Sequence, residues 1–429
     1  MKVRSLAWLL VSCCLAALLP TPAAAAATVQ VELGEAGSYG VQIPFTPSPR
    51  TERYTFSILE DGAEVFRAGV SASGDRSDIY LPFAYDPSGL PEYTLRVTGH
   101  VLPGREGLDR EAGVDTPLAI PPSCGCPAGT AGAFYVGKGT AADPYQVASA
   151  AQLQHINSPN HLGKGQCFKQ VRDIDVEAEQ GTSLWTPIGS FATRFNGTYD
   201  GDGHWVRNMS IAASDSSGLF GYVEKATIQR LAIETPYAFT SSEAFGGGIV
   251  GDGRPGATLS QCYANVSVTA SSGHAGVLCG LVQNGSLVTD CYAYGKAAAS
   301  HQAGLVQNLV GSVRYCYGVC AISGGQATYT GGIVGCTTAA SSLTDCRWFD
   351  GPSNAYGTEA PPKAVNVQRY ALSSANLSNP ANFPASFGLN DPNGLWEMGD
   401  VWYYNHKDGK PGERVHVTAP KLKIFTYQE

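Results

Sequence analysis

The sequence predicts an all-β protein: a right-handed parallel β-helix preceded by an immunoglobulin-like β-sandwich. Three observations point there. Glycine-rich tetrads recur through the middle of the chain at intervals near 28 residues. Residues 28–118 carry short period-2 apolar sets bounded by turn residues. The composition, with 51 glycines and 15% charged residues, suits exported β-rich chains better than helical enzymes.

The chain opens with Lys2 and Arg4, an apolar run from Leu6 to Leu19, Pro20-Thr21-Pro22 and alanines from Ala23 to Ala27. That order is a secretory signal peptide, residues 1–27, too short in its apolar part to span a bilayer. Leu10-Val11-Ser12-Cys13 also matches a lipoprotein cleavage box, which would leave a lipid anchor at Cys13. Both readings export the chain, to the medium or to the cell surface. No later segment is apolar for long enough to cross a membrane. Without Lys2 and Arg4, 26 basic residues face 36 acidic ones, a net charge of −10. With no basic cluster, nucleic acid is excluded as a partner. The length implies two or three domains.

Residues 28–118 read as the sandwich. Val29, Val31 and Leu33, then Tyr54, Phe56 and Ile58, then Ile79, Leu81 and Phe83, then Tyr93, Leu95 and Val97 each alternate. A Pro- and Cys-rich linker follows at 119–132. Cys124 and Cys126 lack zinc spacing, and a disulfide to Cys167 is one reading. Ser149 N-caps a short helix reaching Ile156, placed to cover the open end of a solenoid spanning 133–352. Residues 353–429 form a C-terminal capping segment.

The tetrads are Gly218-Leu219-Phe220-Gly221, Gly248-Ile249-Val250-Gly251, Gly280-Leu281-Val282-Gln283, Gly304-Leu305-Val306-Gln307 and Gly332-Ile333-Val334-Gly335. Gly276-Val277-Leu278 competes for the third. A second column follows: Leu231, Cys262, Cys291, Cys316 and Cys346. Three residues earlier runs Ile228, Leu259, Val288, Val313 and Leu343. Val206 and Met209 are expected to fit the same frame one coil earlier. A period near 28 requires three short strands and three turns per coil. Two apolar columns three apart cannot share a face of a straight strand, so the chain must bend between them. Asn208, Asp290 and Asp345 are expected at that bend.

These residues resemble the GLUG-motif repeat family. The preceding block resembles its leader: Gly139-Thr140 before Asp143-Pro144-Tyr145, Asp173-Ile174-Asp175, Trp185-Thr186-Pro187-Ile188-Gly189, and Phe195-Asn196-Gly197-Thr198-Tyr199-Asp200-Gly201-Asp202-Gly203-His204. The ending, with Trp396, Trp402 and Pro420-Lys421-Leu422, resembles its closing segment. The resemblance runs over about residues 134–425, with Gln283 and Gln307 departing from the final glycine. It implies an extracellular β-helical region of a surface or secreted protein. Some members accompany immunoglobulin-A-cleaving metallopeptidases, which need a His-Glu-x-x-His helix. No His-Glu pair occurs in this sequence, so no peptidase activity carries over.

Candidate chemistry is sparse, and no cofactor motif is found. Asp200-Gly201-Asp202-Gly203-His204 is a calcium loop or a turn; position 211 is Ile where an EF-hand needs Glu. Asp173 and Asp175 are a carboxylate pair or a turn and cap. The column Cys262, Cys291, Cys316 and Cys346 is a buried ladder, a set of inter-coil disulfides, or a metal site. Tyr263, Tyr292 and Tyr317 follow it directly and form either an exposed binding stripe for sugar or protein, or a structural ladder. The expected function is a non-enzymatic, adhesin-like interaction protein for an extracellular protein or glycan. The alternative is a polysaccharide lyase or hydrolase on the same fold.

Overall fold

Alternation in the first 120 residues becomes seven antiparallel strands: β1 Thr28–Leu33, β2 Ser38–Pro44, β3 Thr51–Glu60, β4 Ala63–Ser71, β5 Asp78–Ala84, β6 Tyr93–Val101 and β7 Val114–Pro117. The computed structural model describes residues 11–12, 28–33, 38–44, 51–71, 78–84, 86, 91–101 and 114–426, save for 214, 243–244, 272, 323–324, 358–360 and 407–412. Apart from Val11–Ser12, a strand paired with Thr28 and Val29, the signal segment and Cys13 lie outside these residues. The chain forms two compact units, residues 1–139 and 140–429.

In the first unit, Val11–Ser12 with β1-β2-β5 form one four-stranded sheet and β4-β3-β6-β7 the other. Tyr39, Val41, Ile43, Leu81 and Phe83 meet Tyr54, Phe56, Ile58, Tyr93, Leu95 and Val97 in one core. The period-2 sets therefore face inward across two sheets. The Tyr93 hydroxyl, at the start of the sixth strand, accepts from Asp86 N–H at 2.9 Å, the tyrosine corner of immunoglobulin-like sandwiches. Residues 119–132 do not hang free: Ile120 enters the core and Tyr39 donates to the Pro121 carbonyl at 2.9 Å.

The second unit is a parallel β-solenoid of about six turns. Each full coil visits a first wall (for example Thr258–Ser260), a second wall (Tyr263–Ala270), a short strand (His274–Gly276) and a third wall (Cys279–Val282). The short strand is a fourth segment that the period did not disclose. Nine strands build the first wall, from Tyr145–Val147 to Lys363–Val365. The helix is α1, Ala150–His155, with the Ser149 hydroxyl accepting from Gln152 N–H at 3.3 Å.

The register corrects three sequence alignments. Val250 pairs with Cys279, and Cys279 with Val306. Val277-Leu278-Cys279-Gly280 is therefore the third tetrad, not Gly280-Leu281-Val282-Gln283. The tetrads then start 30, 29, 27 and 28 residues apart. The inward Leu278, between Ile249 and Leu305, sets this alignment; glycine identity alone could not. Val206 pairs with Ile233 in the second wall, and Tyr199 is the residue under Ile228. Asn208 thus sits one corner later than expected.

The bend itself is left-handed in successive coils. Asp202, Arg230, Gln261, Asp290, Tyr315, Asp345 and Asn366 have φ between 49° and 55°. The residues that follow turn inward: Leu231, Cys262, Cys291, Cys316 and Cys346 are fully buried. The backbone N–H groups of Cys262 and Cys291 each point at the next sulfur at 3.4 Å, and the ten described cysteines form no disulfide with one another. Cys124, Cys126 and Cys167 are among them.

Left-handed backbone costs a β-carbon-bearing residue roughly 1 kcal/mol, less for Asn or Asp. Gln261→Asn is expected to raise stability by roughly 0.5–1 kcal/mol in chemical denaturation, and an unchanged midpoint would refute the corner assignment.

Candidate functional site

Tyr263, Tyr292 and Tyr317 stack on the outer face of the second wall, with ring centroids 4.6 and 5.3 Å apart. They are nevertheless fully buried. The C-terminal segment lies over them, bringing Leu377, Phe383, Phe387, Trp396 and Phe425 into a second hydrophobic core outside the bore. An exposed aromatic stripe is therefore absent there. The reason is tertiary: a column of rings on an outer wall is a large apolar strip, and burying it is worth roughly 1.5–3 kcal/mol per ring. Polar anchors fix the cover. The Tyr317 hydroxyl donates to the Pro420 carbonyl at 2.5 Å. Asn265 Oδ1 accepts from Tyr404 N–H at 2.6 Å. Arg414 reaches the buried Glu234 at 3.1 Å. Burial raises the Glu234 pKa, and Arg414 and Arg207 oppose that rise.

The acidic motifs are tied up in corners. Asp173 accepts from Trp205 N–H at 3.1 Å and from Arg207 at 2.7 Å. Asp175 N-caps the helix α2, Val176–Gln180, and accepts from Asn208 at 2.9 Å. Asp200 pairs with Arg230, and Asp202 with Lys169 at 2.8 Å. Neither pair offers free carboxylates for acid–base work or for calcium.

The open surface is the outer face of the first wall. The inward residues Ile228, Leu259, Val288, Val313 and Leu343 are flanked by two outward columns. One is Thr227, Thr258, Leu287, Ser312 and Ser342; the other is Gln229, Ser260, Thr289, Arg314 and Thr344. Successive coils stand about 4.8 Å apart, so the hydroxyls form a regular grid. The Ser342 hydroxyl donates to Ser312 Oγ at 2.7 Å, and Arg314 Nε to Thr289 Oγ1 at 3.3 Å. A shallow depression of about 510 Å³ lies here, lined by Leu287, Ser312, Arg314, Ser342 and Thr344 among others. Hydroxyls and an exposed guanidinium beside an open trough can hydrogen-bond a polyhydroxylated or anionic ligand. The residues on either side of each inward aliphatic, mostly Ser and Thr, are visible in the sequence. Their alignment into a face became visible only with the register.

A second polar group lies at the start of the third wall. Asp252 receives Arg254 at 2.7 Å, Tyr222 donates to Asp215 at 2.5 Å, and the exposed Phe191 ring lies under Arg194 and Arg254. Burial pushes the Asp252 carboxyl up to about 6 against the pull of Arg254. Its side chain is 1% exposed, so it is closed to substrate.

No family model matches the chain. Two curated proteins do so in part. One, proposed to be a Gly-rich membrane protein of Evansella cellulosilytica, is 36% identical over 109 residues, 24% of this chain and 12% of that protein. The other, Halomucin of Haloquadratum walsbyi, is 29% identical over 171 residues, 37% of this chain and 2% of that protein. The matches thus span only a small part of either relative. Among solved structures, a protein from Bacteroides ovatus proposed to be an immunoglobulin A1 protease aligns with TM-score 0.44 and 19% identity, covering 68% of this chain and 95% of that one. An IgA1 protease aligns with TM-score 0.41 and 12% identity, covering 80% of this chain and 26% of that one. No helix among the described residues is long and apolar enough to cross a membrane.

Two outcomes follow from this geometry. Trp396 packs on Phe387 at 4.6 Å and on Tyr292 at 5.4 Å. Trp396→Ala should cost roughly 3–5 kcal/mol and render residues 371–426 protease-sensitive, measured by denaturation and limited proteolysis. Asp252 has a raised folded pKa, so its folded form binds protons more tightly than its unfolded form. Its contribution to stability is lost as pH rises from about 4 through 6, by roughly 2–3 kcal/mol. Asp252→Asn should flatten that part of a stability–pH profile.

Proposed function

We propose that this chain is an exported, non-enzymatic interaction protein of the GLUG-repeat type. It acts in the medium or at the cell surface and binds an extracellular glycan, or the glycan of a surface protein, on the hydroxyl grid of the first wall. The observation that carries this reading is the contrast between the outer faces. The aromatic face is consumed by the C-terminal segment, whereas most residues of the first-wall face are half-buried and Arg314 on it is exposed.

Further support comes from the amino-terminal signal pattern and from partial relatives named as a Gly-rich membrane protein and a Halomucin. The sandwich serves as a spacer or docking module in this reading. The alternative, a lyase or hydrolase, needs several reachable acidic or basic groups in one groove. The most perturbed carboxylate, Asp252, is closed off by Arg254, which favours binding over turnover.

The test is a glycan array and a cell-binding screen on the mature chain. Retention without turnover is expected, with Arg314→Ala weakening it by about tenfold. Depolymerisation of any glycan in the screen would overturn the proposal.

A further inference from the structure

One position in the third wall departs from its column. The residues stacked there are Gly189, Gly221, Gly251, Gly280, Gln307, Gly335 and Gly357. Glycine is required at its neighbours because the short strand runs close by. A Cβ on Gly280 would lie 2.5 Å from the Gly251 carbonyl and 2.6 Å from Phe245 Cβ. On Gly335 it would lie 2.8 Å from the Tyr329 carbonyl. A full side chain at 307, itself buried, is the exception that calls for a cause.

That side chain bonds two of three clustered metal-ligating residues. Its amide oxygen lies 2.7 Å from His274 Nδ1, and its amide nitrogen 3.1 Å from Cys336 Sγ. His274 pairs in register with His301, one coil on, and their Nδ1 atoms face each other at 3.2 Å. Phe245 brackets the imidazole pair on one side at 4.8 Å and Tyr329 on the other at 4.2 Å. The rings are therefore held in place by packing, as a preformed ligand pair needs. Ligand atoms of His274, His301 and Cys336 all fall within 4.8 Å of one another. Around a tetrahedral zinc ion such atoms stand roughly 3.3–3.7 Å apart, given bonds of about 2.0 Å to nitrogen and 2.3 Å to sulfur. The two nitrogens already nearly match that spacing, and a contraction of about 1.3 Å at most closes the set.

We propose that His274, His301 and Cys336 form a binding site for a thiophilic first-row transition-metal ion of the zinc class, the His274 Nδ1 proton that the Gln307 amide oxygen holds moving to Nε2 as the ion takes its place. Two imidazoles and a thiolate suit such ions and not calcium or magnesium. Both histidines are half-buried and Cys336 is buried. On binding, the Cys336 thiol releases its proton to solvent and the sulfur takes the metal. The site links three successive coils, because His274, His301 and Cys336 belong to consecutive windings.

The test is Co²⁺ titration of the full mature chain, with Zn²⁺ competition. A near-ultraviolet thiolate-to-cobalt band and tetrahedral visible bands should saturate and be displaced by Zn²⁺. Cys336→Ser should abolish the thiolate band. His301→Ala should weaken binding at least tenfold. Circular dichroism checks that each variant folds. If Cys336→Ser fails to fold, His301→Ala decides. A wild-type chain without the thiolate band, or a band that survives Cys336→Ser or is unweakened in His301→Ala, would overturn the site.

Discussion

Backbone hydrogen bonds between one coil and the next, running parallel at about 4.8 Å, hold each position of the solenoid above its equivalent. The ladders of the second unit follow from that constraint. Because equivalent side chains stack, an inward position must suit its neighbours above and below as well as the bore. Aliphatics and cysteines satisfy this in the inward columns, and glycine does so where the short strand approaches the third wall. The same constraint holds the left-handed corner in place. Arg230, Gln261 and Tyr315 adopt it although their β-carbons disfavour it, since relaxing one corner would shift the register of two walls.

Stacking also gives each outer face a uniform character, and the protein treats its faces differently. On the second wall the ladder is aromatic, and an exposed strip of that kind invites association. The C-terminal segment covers it with its own aromatics and fastens the cover at buried polar points: Glu234 to Arg414, Asn265 to the Tyr404 backbone, and Tyr317 to the Pro420 carbonyl. Each leaves a buried group satisfied, so the docking is specific as well as apolar. On the first wall the ladder is small and hydroxylated, so it can remain in water.

Departures from a ladder are informative in such a molecule. Gln307 interrupts the glycines and brings its amide between His274 and Cys336. Asp252 carries a carboxylate into a buried place and is answered by Arg254. A repeat tolerates such residues only where something nearby compensates.

Much of the fold was legible before any coordinates. Alternation in Tyr54-Phe56-Ile58 and Tyr93-Leu95-Val97 marked a sandwich core, because side chains on a strand change face at every residue. Two apolar columns three apart demanded a corner, and the Cys column lies buried beside it. Ser149 marked a helix start. What the linear pattern left open was register and cover. Gly280 and Gly276 compete equally as letters, and the packing of Leu278 between Ile249 and Leu305 selects neither, starting the tetrad at Val277. Tyr263, Tyr292 and Tyr317 carry no mark of being covered, since the segment that covers them lies more than 50 residues further along the chain. His274, Gln307 and Cys336 likewise look unrelated in sequence. Local chemistry dictates strands, corners and inward columns; which distant residues share a surface depends on how many residues each coil takes to close, and tertiary contacts alone decide that.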